Sequence, residues 1–158
     1  MTMAEIKSPL TDVNRNETGQ HLQSCVVDLI DLSLVAKQLH WNVIGPRFRD
    51  VHLQLDLVVD MARLHTDALA ERCTTIGVNP DGRARTVAAD SAIDVPAAGF
   101  DKDAEVVERM SGILQGVSNR FQEHVEKVAD TDPVTQDLII AATEAIQEQS
   151  WMWQAMAS

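Results

Sequence analysis

The chain has 158 residues, with 13 Lys and Arg against 24 Asp and Glu, giving a formal net charge of −11. That length suits one domain with a substantial core, and 45% hydrophobic with 23% charged residues is a globular balance rather than a disordered one. The acidity argues against a stand-alone nucleic-acid binder, which carries a basic footprint, and leaves cations, metals and solubility as reasons for the charge.

The opening segment MTMAEIKSPLTDVNRNETGQ has no apolar h-region, and no apolar run approaches the roughly 20 residues that span a bilayer. Neither a secretory signal nor a membrane anchor is expected. Residues 1–17 are polar, contain Pro9 and read as a tail or loosely docked arm ahead of a domain over 18–158. A helix is predicted from Thr18 to Ile44, because Cys25, Leu29, Leu32, Ala36, Leu39 and Val43 recur at spacings of four and three; Gly45-Pro46 stops it. A second helix should run from Phe48 to Ile76 and end at Gly77. Its stripe is Val51, Leu55, Val58, Ala62, His65, Leu69, Cys73 and Ile76, which makes His65 a core histidine. Cys25 and Cys73 are too few for a disulfide scaffold and read as buried free thiols of a reducing cytosol.

Residues 78–100, with Pro80, Asp81-Gly82, Pro96 and Gly99, form a long connection with room for one short helix. A third helix is predicted from Asp101 to Val128 on Val106, Met110, Ile113, Leu114, Val117, Phe121 and Val125. Asp132-Pro133 opens a fourth, with Asp as N-cap and Pro at the first helical position. It carries Leu138, Ile139, Ala142, Ile146 and Trp153. No strand-like alternation is visible. Four long helices, joined short–long–short, predict an all-α four-helix bundle of ferritin-like topology, its long link crossing between helices two and three.

The chemistry concentrates in LHWNVIGPRFRDVHLQLD and the helix after it. With Val51 as zero and about 100° per residue, His52 lies near 100°, Asp56 near 140°, Asp67 near 160° and Glu71 near 200°. The apolar stripe stays within about 40° of zero, so the His and carboxylate face points away from the core. His52 with Asp56, and Asp67 with Glu71, are i,i+4 pairs that can each present two ligand atoms to one point. The midpoints of the two pairs lie about 22 Å apart along the helix, too far to share a metal within one chain. Two copies of the helix packed antiparallel about a two-fold axis remove the difficulty, with His40 completing each of two equivalent sites. Imidazole and carboxylate without thiolate suit iron, manganese or zinc. Trp41, beside His40, could donate an electron or line a dry site. Asp60 lies between the pairs, with Arg63 as its expected ion-pair partner.

These strings, with D-A-L-A-E-R and the closing DPVTQDLIIAATEAIQEQSWMWQA, resemble the Dps family of mini-ferritins. The likeness covers roughly residues 18–156. In that family an H-W-N motif, a His twelve residues on, an Asp four further and a later D-x-x-x-E form a ferroxidase centre between two subunits. Carried over, the match falls on His40, His52, Asp56, Asp67 and Glu71, with Trp41 alongside. The resemblance implies a hollow dodecamer built from two-fold dimers. It implies a dinuclear iron site, with zinc or manganese as surrogates, that oxidises Fe(II) with hydrogen peroxide and stores Fe(III) mineral. It also implies an iron-entry pore near the start of the last helix, for which Asp130, Asp132 and Asp137 are the candidates, although Asp132 also reads as an N-cap. A cytoplasmic location is expected, with nucleoid association left open, and the alternative function is a nucleoid DNA-binding protective protein with incidental metal binding. The sequence departs from the family's DNA-binding pattern. Lys7 and Arg15 face Glu5, Asp12 and Glu17 at the N-terminus, and WMWQAMAS ends the chain without a base, so weak or no DNA binding is expected.

Overall fold

The computed structural model describes residues 6–94 and 96–158. Its elements are α1 (Asp12–Asn42), β1 (Val43–Ile44), α2 (Phe48–Thr75), α3 (Ala84–Asp90), β2 (Asp101–Lys102), α4 (Asp103–Lys127) and α5 (Pro133–Ala157). α1 packs along α2 and α4 along α5 as two hairpins, which meet through α2 with α5 and α1 with α4. The connection between α2 and α4 crosses from one hairpin to the other, and its short helix α3 rests on α1. This is the ferritin-like bundle that the order of long and short connections predicts.

The core forms where the apolar stripes converge. Val51, Leu55, Val58, Ala62, Leu69, Cys73 and Ile76 of the second stripe are all buried, against Leu29, Leu32 and Leu39 of α1, Met110 and Phe121 of α4, and Ile139 and Trp153 of α5. Each such Leu, Ile or Phe contributes about 1.5–3 kcal/mol by leaving water. His65 departs from the expectation: it is half-buried at the edge of the stripe, and partial desolvation lowers its pKa. Cys25 and Cys73 are buried free thiols; burial raises both, Cys73 to about 11, and keeps them protonated.

Beyond shifts of a residue or two at helix ends, two features differ from the sequence reading. α1 starts at Asp12, not Thr18, because Thr11 caps it by accepting the Asn14 N–H at 3.3 Å. Asn14 Nδ2 donates to the Thr131 carbonyl at 3.1 Å, and Thr18 Oγ1 bonds Thr131 Oγ1 at 2.9 Å. The first turns of α1 are thereby tied to the turn between α4 and α5, in a stretch expected to be tail. In addition, Val43 pairs with Asp101 and Ile44 with Lys102 as a parallel ladder, too short to show as alternation in sequence.

That ladder sits beside the turn between α1 and α2, which a carboxylate closes. Gly45 has φ +134°, and a Cβ there would lie 2.6 Å from the Asp103 Cγ. Asp103 accepts the Arg47 N–H at 2.6 Å on one oxygen and the Ala104 N–H at 2.8 Å on the other. Only glycine lets the chain pass so close to that side chain in this conformation.

Asp132 caps α5, accepting the Val134 N–H at 3.3 Å, and is 2% exposed. Arg72, at the end of α2, donates to its Oδ2 from Nη2 at 2.6 Å and from Nε at 3.2 Å, and Thr135 donates to the same oxygen. Burial pulls the Asp132 pKa upward. The bonds from Thr135 and Arg72, the Arg72 charge and the Val134 N–H together outweigh it and hold the group below the usual carboxylate range. Asp132→Ala leaves Arg72 without its buried partner and should lower the unfolding free energy by about 3 kcal/mol at pH 7, read by denaturant titration. A depressed folded-state pKa gives stability that is present above the unfolded value and lost as pH falls through the folded one. The gap between wild type and variant should therefore close progressively below about pH 4.

Candidate metal centre

The closed turn brings the last turn of α1 against the first turns of α2. His40 is 8% exposed; His52 is half-buried. Their rings stack with centroids 3.6 Å apart and planes 22° from parallel, and Phe48 lies 4.9 Å from the His52 ring. Each histidine bonds the backbone of the other: His40 Nδ1–H donates to the His52 carbonyl at 2.9 Å, and His52 Nδ1–H to the His40 carbonyl at 2.9 Å. A carbonyl only accepts, so both rings must carry their proton on Nδ1. In the neutral form both Nε2 atoms then hold a free lone pair, the state a metal requires. His40 also supplies a carbonyl from the end of α1, where no intrahelical N–H remains to bond it.

Asp56 is one turn further along α2. Its Oδ1 lies 3.3 Å from His40 Nδ1 and accepts Lys37 Nζ at 2.5 Å. The Lys37 hydrogen bond holds Asp56 below the usual carboxylate range. A smaller upward pull from desolvation opposes it, and the charges of His40, Lys37 and His52 add to the downward shift. Lys37 is the residue that reading the sequence missed. It stands three residues before His40, hence on the same face of α1, and the same helical arithmetic applied there would have found it.

Asp67 and Glu71 are exposed on α2, and the helix is unbroken from Phe48 to Thr75. Their distance from His52 and Asp56 is therefore the roughly 22 Å of straight helix, and one chain does not bring the five together. Among the described residues no group of three or more His, Cys, Asp and Glu is arranged to hold a metal. Asp60 and Arg63 are both exposed, and among the described residues no ion pair joins them, contrary to expectation. The outward face also carries Leu53, Leu57 and Leu64, 47%, 51% and 69% exposed. These leucines project near 200–240° on the same construction, among the carboxylates rather than opposite them. Trp41 is 68% exposed and borders a shallow cavity of about 370 Å³ with Leu34, Val35 and Pro96. Of the pore candidates, Asp130 and Asp137 are exposed, whereas Asp132 is taken by Arg72 and the cap and is no free pore acid.

A four-helix bundle with a crossover and a histidine–carboxylate pair at one end defines a ferritin-like protein. A family model described as a ferritin-like domain matches residues 19–158. The DNA protection during starvation protein of Mycolicibacterium smegmatis is 31% identical over 146 residues, covering 92% of this chain and 80% of that one. The tetragonal form of Mycobacterium smegmatis Dps superposes with a TM-score of 0.90 at 31% identity, covering 99% and 94% of the two chains. Dps from Microbacterium arborescens in the high iron form gives 0.89 at 26% identity, covering 95% and 97%. The chain belongs to the Dps family.

The stacked pair should matter to stability. His52→Ala removes one donor and leaves His40 without its stacking partner, an expected loss of about 1 kcal/mol and a melting point lower by about 2–4 °C. His52→Gln, which keeps an N–H donor, should lose less. Calorimetry of both variants checks this.

Proposed function

We propose that the chain is the subunit of a ferroxidase and iron store, which oxidises Fe(II) with hydrogen peroxide, or with oxygen, at dinuclear sites shared by two copies. The Fe(III) product would be held as mineral in a hollow shell of twelve chains built from two-fold dimers. The observation that carries this reading is the His40–His52 pair. Its mutual backbone bonds leave both Nε2 atoms free, and Asp56 lies against His40, while the other two candidate ligands lie on the same helix out of reach. A second copy of α2, packed antiparallel, would bring its Asp67 and Glu71 to His52 and Asp56 of the first. Leu53, Leu57 and Leu64 would supply the apolar contact that holds the two helices together.

The ligand set explains the chemistry. Imidazole nitrogen and carboxylate oxygen accept Fe(II), and the hard oxygens favour Fe(III), so binding promotes oxidation. Each Fe(II) gives one electron. Two together reduce one hydrogen peroxide, breaking its O–O bond and taking up two protons to form two waters, without releasing hydroxyl radical. Lys37 holds the place of a cation on Asp56 and must yield it as iron binds. Trp41 serves as an electron donor if a radical escapes, or as a wall of the site; the chain has no tyrosine. Asp130 and Asp137 remain the candidates for guiding iron inward.

Removal of Fe(II) and peroxide would itself protect DNA, which fits the name of the Mycolicibacterium relative without direct binding. Firm retardation of DNA in a gel at moderate salt would overturn that part of the reading. Anaerobic Fe(II) titration should saturate near two irons per site, with oxidation on adding peroxide. Asp67→Ala with Glu71→Ala should abolish fast oxidation yet leave an assembled shell; a normal rate would sink the assignment. Mixing that variant with a His52/Asp56 double variant should restore part of the activity in mixed dimers. Lys37→Met should tighten Zn(II), a redox-silent probe, by up to about fivefold, because it removes a partly exposed competing ion pair.

A further inference from the structure

The chain's other close histidine pair lies elsewhere. His21 is on α1, about 28 Å along the helix from His40. His124 is in the last turn of α4. Their Nδ1 atoms face each other at 3.0 Å, with ring centroids 5.2 Å apart and planes at 58°. We infer that His21 and His124 form a second metal site, separate from the ferroxidase centre, that takes a divalent late transition ion of the Cu(II) or Ni(II) type.

The geometry supports this in three ways. First, two imidazole Nδ1 atoms can share a hydrogen bond only if one ring carries the proton and the other does not, whereas a cation accepts both lone pairs at once. Second, with metal–nitrogen bonds of about 2.0–2.1 Å, nitrogens 3.0 Å apart subtend roughly 95° at the metal. That is the angle between neighbouring ligands in the tetragonal and octahedral geometries of copper and nickel. A tetrahedral zinc would need the nitrogens spread to about 3.4 Å. Third, a cavity of about 380 Å³ beside His124, lined also by Gln23, Ser24 and Glu123 but not by His21, gives solvent a path to that ring.

The surroundings keep the pair ready. Desolvation is the main effect lowering both pKa values, which favours the neutral ring that a metal binds. Glu17 acts on His21 from one turn earlier on α1, opposed by Lys127. Glu123 and Asp28 act on His124, opposed by His21 and Arg120. Asp28 and Arg120 pair with each other at 2.7 Å, which leaves Glu17 and Glu123 against Lys127. Glu17, at i−4 from His21, lies one turn away on the same face of α1.

The test uses the assembled protein and Cu(II) alone. Calorimetric titration of wild type should find a copper equivalent per chain that His21→Gln and His124→Gln each weaken by roughly 100-fold or more, since losing even an outer-shell partner costs up to that. Iron oxidation should stay at the wild-type rate in both. A second measurement does not alter the proposed ligands. The chain has five histidines, so His40→Gln with His52→Gln leaves His21, His65 and His124. A copper electron paramagnetic resonance spectrum with coupling to two imidazole nitrogens in that double variant supports the pair. Titrations unchanged by the single substitutions, or the absence of two-nitrogen coupling in the double variant, would overturn it.

Discussion

Asp103 is a residue through which the second half of the molecule fixes the turn of the first. It opens α4, after the whole crossover, yet its carboxylate fills the space over Gly45 and accepts the Arg47 N–H. The reversal between α1 and α2 is thus set by a contact from the other hairpin. His40 and His52 are twelve residues apart and meet only because that reversal is tight. Once they meet, the backbone of each orients the ring of the other, so the arrangement needs no third residue to aim the free nitrogens. The small β1–β2 ladder lies at the same junction and ties the end of the crossover to the turn.

The distribution of charge follows from how the bundle is pinned. Asp28, Asp103 and Asp132 are buried and engaged, two of them with arginines. Most of the surplus acid therefore lies outside, including Asp60, Asp67, Glu71, Asp130 and Asp137. Several of the bases are engaged in turn: Arg72, Arg109 and Arg120 bridge elements, Arg83 holds Asp81, and Lys37 holds Asp56.

The helices were legible because long stripes such as Val51 to Ile76 repeat the 3.6-residue period over many turns. The direction of the His and carboxylate face was legible for the same reason, as helical phase is simple arithmetic. What escaped depended on single contacts. Thr11 begins α1 through one side-chain bond, and Asn14 and Thr18 find their partners more than a hundred residues away. Lys37 was passed over because it sits on the other helix of the pair. Asp132 could be read as a cap but not as half of an ion pair, since Arg72 is 60 residues distant in sequence. The exposed leucines of α2 were visible as letters, yet their significance appears only when the neighbouring helices leave them uncovered.

The unbroken run of α2 has a consequence for how such a chain can vary. The proposed site, divided between the two ends of one helix and completed by a second copy, would use that helix as a measuring rod. Inserting or deleting one residue between His52 and Glu71 would turn one pair about 100° relative to the other and slide it about 1.5 Å. Both symmetric sites would be spoiled together, and the leucines between them would lose their register. The crossover between α2 and α4 carries neither pair, so a change of length there leaves their spacing untouched. Length changes among relatives should therefore accumulate in that connection and at the chain ends, and be absent from the interior of α2.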